Sequence, residues 1–307
     1  MKNIVVCGGA GFVGGHLVDR LLHTPGVERI VIADRDTKAL CDFNPSPRLL
    51  INPGDLQNDT GALFQGCDTV FHLASNADIS KAVEDPDLDF RDGTLVTRNI
   101  LEGMRAHGCK RIIYFSGSGV YGDLGDARLY EDVTICRPIS PYGASKLASE
   151  ALISAYCAMF GMMGAVFRPA NIVGPDQTHG VTFDFVRQLK EHPDHLDILG
   201  DGRQLKSYVD IDDVLDTVLA HEARCAHKLG FEIFNLSNED PISVMIIALM
   251  AKKICWPNLQ VELRLKGGDR GWAGDVPKVN LMMTKLSDPS DWKSSEEAIE
   301  RSIRSML

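Results

Sequence analysis

The chain has 307 residues, of which 44% are hydrophobic and 24% are charged, a composition typical of a globular protein with a large core. Its formal net charge of -10 argues against a nucleic-acid-binding surface, so any phosphate must be held at a local site. The cysteines form no CxxC pair and no zinc-like spacing with histidine, so we expect neither a metal site nor a disulfide framework. A reducing cytoplasm fits this pattern, and no apolar run approaches the roughly 18 residues of a membrane span.

In chain order, short β-branched segments alternate with segments whose apolar residues recur at helical spacing. The first strand runs directly into glycines, after which Leu17, Val18 and Leu21 recur at the period of a helix. We predict strands at residues 4–6, 29–33, 49–51, 69–73, 111–115 and 165–168, and further helices at 94–106 and 142–160.

This alternation is typical of an α/β fold, because helices supply the crossovers between parallel strands. We therefore predict a Rossmann-type, doubly wound parallel sheet over residues 1–169. Beyond this point the rhythm becomes irregular, and Gly, Pro and charged residues cluster at 174–180, 200–203 and 266–277. We assign residues 170–307 to a smaller, loop-rich substrate-binding region with an interleaved boundary, since no linker is long enough to make it independent.

A glycine-rich turn follows the first strand, with Gly8, Gly11 and Gly14 in a GxxGxxG pattern. Such glycines let a diphosphate approach the backbone, and the helix behind them offers unpaired N–H groups and a positive dipole end. Asp34 ends the second strand about 20 residues after the last glycine, where a carboxylate accepts hydrogen bonds from an adenosine ribose. That charge favours NAD over NADP, although neighbouring Arg35 leaves NADP open. The alternative is an ordinary glycine turn with a capping Asp.

Two further strand ends lie at the sheet edge where ligands bind. One carries Asp55 and Leu56, and the other is the HLAS segment with Leu73, Ala74 and Ser75. Asp55 is a candidate to meet an adenine, while Leu73 and Ala74 are candidates to line the cofactor path. Taken alone, each is better explained by turn chemistry or core packing.

The most informative chemical signal is a YxxxK pattern at Tyr142 and Lys146. The i, i+4 spacing places the phenol and the ammonium on one helix face. An adjacent positive charge favours the tyrosinate and lowers the phenol pKa toward the range of a general base. Lys146 is also placed to hold a nicotinamide ribose.

The segment SGSGVYG after the fifth strand supplies candidate hydroxyl donors to a substrate oxygen. Ser118 is the first choice and Ser116 the second. The alternative is that both hydroxyls only satisfy backbone groups of the turn.

Together, the motifs GGAGFVG, GDL, HLAS, SGSGVYG, SPYGASK and RPANIVGP resemble those of the extended short-chain dehydrogenase/reductase family, in particular UDP-glucose 4-epimerases and their nucleotide-sugar relatives. The segments THGVTFDF, LGDGRQLKSYVDIDDV and GGDRGWAGDVP are similar to those of the short, archaeal-type epimerases. The resemblance covers nearly the whole chain. It implies an NAD-dependent isomerase that acts on a UDP-linked sugar.

The resemblance also implies which residues hold the ligands. Asn171 and Val181 would contact the nucleotide diphosphate and base region. Lys206 stands where many relatives carry arginine, and Arg270 would contact the sugar-linked phosphates; the alternative for each is a solvated surface charge. Cofactor contacts are expected from Gly8, Gly11, Phe12, Val13, Gly14, Asp34, Arg35, Asp55, Leu56, Leu73, Ala74, Ser75, Ser116, Tyr142 and Lys146.

Two positions depart from the family pattern. The family places its catalytic Ser or Thr three residues before the valine of VYG, where this chain has Gly117. The usual active-site asparagine of the NNVxGT motif corresponds to Gly93. The hydroxyl must therefore come from Ser118, from Ser116 or from water, and a changed substrate geometry, a reduced activity or a different reaction stays open.

For an epimerase, the resemblance implies that NAD accepts hydride from C4 of the sugar while Tyr142 takes the hydroxyl proton, and that the 4-keto sugar turns over before the hydride returns. Related 4,6-dehydratases carry an Asp-Glu pair just before VYG, and UDP-glucuronate decarboxylases carry a Glu there. Ser118 and Gly119 occupy these places, which favours epimerisation without elimination. A 4-epimerase of a UDP-uronic acid or UDP-N-acetylhexosamine, or another nucleotide-sugar enzyme, is the close alternative.

A non-catalytic dinucleotide sensor that kept the fold and lost the chemistry is the alternative from another class. Gly117 and Gly93 favour it, whereas an intact Tyr142 and Lys146 oppose it.

The expected partners are a nucleotide sugar and a second copy of the chain, with no nucleic acid and no membrane. The helices around 95–106 and 147–160 carry apolar faces that suit the four-helix contact of dimeric relatives. Core packing explains the same faces equally well.

Overall fold

The computed structural model describes residues 1–58, 60–76, 79–133, 135–225, 230–286 and 291–307. The strands are β1 Asn3–Cys7, β2 Arg29–Asp34, β3 Leu49–Pro53, β4 Thr69–His72, β5 Arg111–Phe115, β6 Arg128–Leu129, β7 Met163–Pro169, β8 Asn171–Val173, β9 His195–Ile198, β10 Leu205–Asp210, β11 Gly230–Leu236, β12 Pro241–Ser243, β13 Glu262–Leu265 and β14 Lys278–Leu281. The α-helices are α1 Phe12–His23, α2 Thr37–Leu40, α3 Asp87–Asp89, α4 Val96–His107, α5 Pro141–Phe160, α6 Val181–Glu191, α7 Ile211–Cys225, α8 Val244–Cys255 and α9 Ser295–Ser305. Short 3-10 helices lie at Ile79–Val83 and Ser118–Val120, and a π-helix lies at Phe90–Leu95.

The chain divides into two compact units. Unit 1 consists of Met1–Ser116, Ala144–Phe167 and Val218–Ile233, and unit 2 consists of Gly117–Gly143, Arg168–Thr217 and Phe234–Leu307. The division at residue 169 that the sequence suggests stays a proposal.

A seven-stranded sheet in the order β11-β7-β5-β4-β1-β2-β3 forms the centre of unit 1. The pairings from β7 through β3 are parallel. Its central strands β1, β4 and β5 are almost fully buried on both faces, so they read as continuous β-branched and aromatic runs rather than as an alternation. The strand order reverses beside β1, and ligands of such sheets bind at the carboxyl ends of the strands there. The predicted Rossmann-type fold is confirmed.

Most predicted elements of unit 1 are present, with ends that differ by one or two residues. β5 has the predicted bounds, and α5 begins one residue earlier than predicted. The predicted helix at 94–106 is divided into a π-helix, Phe90–Leu95, and α4. This change of helix type carries no periodicity signal.

Unit 2 is more regular than the sequence indicates. β12, β10, β14 and β6 form one sheet, to which β8 adds through β10, and β13 pairs with β9. A second hydrophobic core includes Phe185, Leu196 and Ile247, which are almost fully buried. The sequence does not predict these elements, because strands of two to six residues are too short to give a period.

Within the described ranges, no helix has the length and apolar character needed to cross a membrane.

Candidate active site

The glycine turn of unit 1 is built by close backbone packing at two of its three motif glycines. Gly8 has a φ of 81°, and a Cβ there would lie 2.5 Å from the Ala74 backbone nitrogen. A Cβ on Gly14 would lie 2.4 Å from the Gly8 carbonyl oxygen. Gly11, which caps α1, would meet only that oxygen, at 3.5 Å. The middle glycine therefore leaves the helix end open to a ligand, which fits the diphosphate of a dinucleotide.

Asp34 lies beside this turn, and its carboxylate is held by the backbone. The Ala10 N–H donates to Oδ2 at 3.0 Å, and the Asp36 N–H donates to Oδ1 at 3.0 Å. The two bonds fix the carboxylate at the end of β2, and each oxygen keeps a lone pair that a ribose hydroxyl can use.

Arg35, the next residue, is paired with a carboxylate of the π-helix. Its Nη1 and Nη2 donate to the two Asp92 oxygens at 2.9 and 2.6 Å. The Asp92 carboxylate also accepts a hydrogen bond from Gln57 Nε2 at 2.7 Å. The pattern of charges along the sequence does not reveal this pairing, because 57 residues separate the two partners.

The other proposed cofactor residues of unit 1 lie around the same strand ends. The N–H groups of Leu73 and Ala74 both donate to the Cys7 carbonyl, which fixes the HLAS segment against β1. Asp55 accepts a bond from the Gln57 N–H in a tight turn. Partly buried or buried side chains complete the group: Phe12, Val13, Leu56 and Ser75.

Lys146 is almost fully buried on α5. Its ammonium donates to the Phe115 carbonyl at 2.8 Å and lies 5.1 Å from the centroid of the Tyr114 ring. Burial lowers the Lys146 pKa to about 8, and the negative charges of Glu150 and Asp89 oppose this shift. The ammonium is therefore kept in a poorly solvated position by fixed dipoles and by carboxylates.

His72 and Asp89 face the same ammonium from other elements. The His72 pKa is lowered to about 3 by burial and by the Lys146 charge, so the imidazole is neutral. Burial raises the Asp89 pKa, and one of its oxygens accepts a bond from Asn76 at 3.0 Å.

Tyr142 lies in the first turn of α5, one helical turn before Lys146. A phenol next to a buried ammonium can lose its proton more easily than one in water. This pair can thus act as a proton acceptor with an electrostatic support, which is the chemistry that the YxxxK pattern predicts.

The two candidate serines differ in their hydrogen bonding. Ser116, at the end of β5, donates its hydroxyl to Glu150 Oε1 at 2.5 Å, so its proton is engaged inside unit 1. Ser118 begins the short 3-10 helix of unit 2 and is half-buried, and in the described part of the chain its hydroxyl has no hydrogen-bond partner. These contacts favour Ser118 over Ser116 as the donor to a substrate.

Close backbone approach positions Ser118 against the start of α5. A Cβ on Gly143 would lie 2.6 Å from the Gly119 carbonyl oxygen, so only glycine fits this contact. The Ser118 turn therefore packs directly on the helical turn that carries Tyr142.

The two departures from the family pattern have different surroundings. Gly117 has an extended backbone with a φ of 179°, and a Cβ there would meet nothing within 4 Å. A Cβ on Gly93 would lie 2.2 Å from Ser145 Oγ. The Ser145 hydroxyl thus fills the space of the missing side chain, where it donates to the Asp89 carbonyl at 2.6 Å and accepts a bond from the Thr94 N–H.

In unit 2, the two proposed phosphate-binding cations are both paired with carboxylates. Lys206 Nζ lies 2.5 Å from Asp275 Oδ1. Arg270 donates to Asp123 Oδ2 at 2.6 Å and to the Asp275 carbonyl at 2.7 Å. Asn171 lies on β8, opposite Tyr208 of β10, and is partly buried. Each cation is held in place by these contacts.

Sequence reasoning missed several carboxylates that organise these groups: Asp92, Asp123, Glu150 and Asp275. Only Glu150 left a signal that could have been used, since it follows Lys146 at the i, i+4 spacing of one helix face.

Comparisons with known proteins identify the family of the chain. The sequence model of the NAD dependent epimerase/dehydratase family matches residues 4–237. The chain belongs to this family. A putative UDP-glucose 4-epimerase of Methanocaldococcus jannaschii is 32% identical over 219 residues, which cover 69% of this chain and 70% of that protein.

Two solved structures of the family cover nearly the whole chain. A UDP-galactose 4-epimerase has a TM-score of 0.84 and 31% identity, with 99% of this chain and 98% of that one covered. The UDP-glucuronic acid 4-epimerase from Bacillus cereus, in complex with UDP-glucuronic acid and NAD, has a TM-score of 0.86 and 25% identity, with 100% and 99% covered. The family assignment suggested by the sequence motifs is confirmed, and the cofactor of the family is NAD.

Proposed function

We propose that this family member is an NAD-dependent UDP-hexose 4-epimerase of the UDP-glucose/UDP-galactose type. The observation that carries the proposal is the buried Lys146 ammonium one helical turn after Tyr142, at the carboxyl end of β5. Relatives that are named UDP-glucose and UDP-galactose 4-epimerases support the choice of substrate.

Tyr142 acts as the base in this proposal. Lys146 stabilises its phenolate, which removes the proton from the C4 hydroxyl as the C4–H bond breaks and a C4 carbonyl forms. NAD, when held by the glycine turn and Asp34, would supply the hydride acceptor and donor for C4, and inversion requires the 4-keto sugar to turn over between the two transfers. Tyr142 then gives the proton back to the C4 oxygen, so that the net change is inversion at C4.

Ser118 supports this exchange by donating a hydrogen bond to the C4 oxygen. Its position beside the first turn of α5 makes it the nearest substitute for the hydroxyl absent at Gly117. Gly8, Gly11, Gly14 and Asp34 are proposed to hold the dinucleotide diphosphate and ribose.

Unit 2 is proposed to hold the UDP group. Lys206 and Arg270 supply the positive charges for the diphosphate, and Asn171 and Val181 contact the nucleotide. Asp275 and Asp123 keep the two cations in place before the substrate arrives.

Elimination of water, as in 4,6-dehydratases, is disfavoured because Ser118 and Gly119 provide no carboxylate. A 4-epimerase of a UDP-uronic acid is the second candidate, favoured by the likeness to the UDP-glucuronic acid enzyme. A UDP-N-acetylhexosamine epimerase and a non-catalytic dinucleotide sensor are further outcomes that the experiment below distinguishes.

The purified protein is incubated with UDP-glucose, UDP-N-acetylglucosamine or UDP-glucuronate, and the products are separated by chromatography. We expect conversion of UDP-glucose to UDP-galactose, its loss in Tyr142→Phe, and its retention in Tyr130→Phe, a matched variant at a partly exposed tyrosine. Conversion of one of the other two nucleotide sugars would replace UDP-glucose as the proposed substrate. NAD binding without conversion of any sugar would indicate a non-catalytic dinucleotide sensor.

We also propose that the enzyme is cytoplasmic and forms a homodimer through α4 and α5. Met159 of α5 is 74% exposed, and a second copy of the chain would remove this apolar side chain from water. Light scattering measures the molar mass of the native protein and of Met159→Lys. A monomeric mass for both proteins would contradict the proposed dimer.

A further inference from the structure

The residue after the ribose-binding carboxylate is an arginine, the residue type that accommodates the 2′-phosphate of NADP in related folds. Here both terminal nitrogens of Arg35 are bound to Asp92, in a bidentate pair at 2.9 and 2.6 Å. The Asp92 side chain is only 4% exposed, whereas that of Arg35 is 54% exposed. The cation therefore reaches inward to a buried acceptor.

Asp92 is fixed by further contacts besides its ion pair with Arg35. Gln57 donates its side-chain amide to Asp92 Oδ1 at 2.7 Å. Asp92 lies in the π-helix Phe90–Leu95, whose backbone is fixed by the Ser145 hydroxyl at Thr94. The acceptor of Arg35 is thus a fixed group, and breaking the pair would leave a buried charge without its partner.

The surroundings of Arg35 are strongly acidic. Its pKa is raised by the hydrogen bonds to Asp92 and by the negative charges of Asp92, Asp55 and Asp34. A phosphate placed there would meet these carboxylates, while the planar guanidinium that could bind it is already oriented towards Asp92 by one N–H of each terminal nitrogen.

We propose that Asp92 is a specificity-determining residue of the dinucleotide site, which holds the Arg35 guanidinium away from the ribose 2′ position and so disfavours a 2′-phosphorylated dinucleotide. The proposal rests on the proposed role of Asp34 at the ribose. It assigns cofactor discrimination to two residues together, the carboxylate that faces the ribose and the carboxylate that engages the neighbouring arginine.

The test compares binding of NADH and NADPH to the nucleotide-free protein by their fluorescence, with no sugar present. Asp92→Asn keeps the side-chain size and removes the charge. We expect the affinity for NADPH relative to NADH to rise about tenfold, which corresponds to about 1.4 kcal/mol. An unchanged ratio in the folded variant would overturn the proposal.

The double variant Arg35→Gln with Asp92→Asn is the matched control, because it replaces the Arg35–Asp92 ion pair by two uncharged amides and leaves the net charge unchanged. We expect its NADPH to NADH ratio to return to within about twofold of the native ratio. A ratio as high as that of Asp92→Asn alone would show that Arg35 is not the phosphate ligand. If Asp92→Asn does not fold, the double variant still tests the proposal. An NADPH to NADH affinity ratio well below the native one would mean that Arg35 binds the 2′-phosphate in the native protein, which contradicts the proposal.

Because binding is measured without a sugar, failure here leaves the epimerase proposal standing. If the native protein bound neither NADH nor NADPH, that result would instead contradict the proposed function.

Discussion

Lys146 illustrates how a single buried charge is kept available for chemistry. Removal from water favours the neutral amine, and the Phe115 carbonyl and the Glu150 and Asp89 charges favour the ammonium. Since the charged form is the one that stabilises a tyrosinate, epimerase activity requires pH values below the Lys146 pKa. Activity should therefore decline as the pH rises through about 8.

Glu150→Gln tests this balance. Removal of a negative charge beside Lys146 lowers the ammonium pKa further, so the alkaline limb of kcat/KM should move to lower pH by on the order of one unit. Asp89→Asn should move the limb in the same direction. Ser116→Ala leaves the charge of Glu150 in place and should leave the limb where it is, whatever it does to the rate. An alkaline limb that stays fixed in Glu150→Gln would show that Lys146 does not set it.

Ser118 and Gly117 allow a second test at the residue scale. Ser118→Ala should reduce kcat by about 10²-fold, because a positioned hydrogen-bond donor to the reacting oxygen is lost. The space at Gly117 is open, so Gly117→Ser in the Ser118→Ala background should recover part of kcat. Steady-state rates of the two variants, with Ser116→Ala beside them, measure the effect. A larger loss in Ser116→Ala than in Ser118→Ala would reverse the assignment.

At the scale of elements, the π-helix Phe90–Leu95 and the first turns of α5 form one hydrogen-bonded unit. Ser145 links them, since its hydroxyl contacts both the Asp89 carbonyl and the Thr94 N–H. A side chain at position 93 would therefore displace the Ser145 hydroxyl from these hydrogen bonds, next to Lys146 in the chain.

A double-mutant cycle measures this coupling. Gly93→Ala places a Cβ against Ser145 Oγ and should cost about 1–3 kcal/mol of unfolding free energy. Ser145→Ala removes the obstacle, so the double variant should lose at least about 1 kcal/mol less than the sum of the two single losses. Gly15→Ala in α1, where a Cβ meets nothing within 4 Å, is the control. Additive losses in denaturant titrations would contradict the packing argument.

The sequence predicts elements well where burial gives a continuous signal and poorly where contacts across the fold decide. The strands β1 to β5 are predictable from their β-branched runs, and α5 is predictable because it is long. The π-helix is hydrogen-bonded to Ser145, which lies far away in the chain, and the short strands of unit 2 have no period of their own. Within the candidate site, the glycine turn and the YxxxK pair are local patterns, whereas Asp92 and Asp123 depend on long-range pairing that a single sequence does not show.

At the scale of the molecule, each unit is assembled from three separate stretches of chain. The sheet of unit 1 receives its edge strand β11 from residues far beyond β7. A fragment that ends at residue 169 would leave β7 without this neighbour and would lack most of the second core.

We therefore expect fragment 1–169 to be expressed in aggregated or poorly packed form, because an unpaired strand edge and exposed apolar surface promote association. Size-exclusion chromatography and thermal melting check this. Co-expression with fragment 170–307, which restores every strand, is the control and should recover folded protein. A monomeric fragment 1–169 with a cooperative melting transition would contradict the expectation.

The interleaved stretches also affect synthesis on the ribosome. Because β11 ends at residue 236, the unit 1 sheet cannot be completed until that residue has emerged, and unit 2 must wait for α9 near the carboxyl end. During this interval the nascent chain carries an open edge at β7. The sheet of unit 1 can therefore close only after residue 236 has emerged, and we expect the open edge at β7 to make the yield depend on chaperones until then.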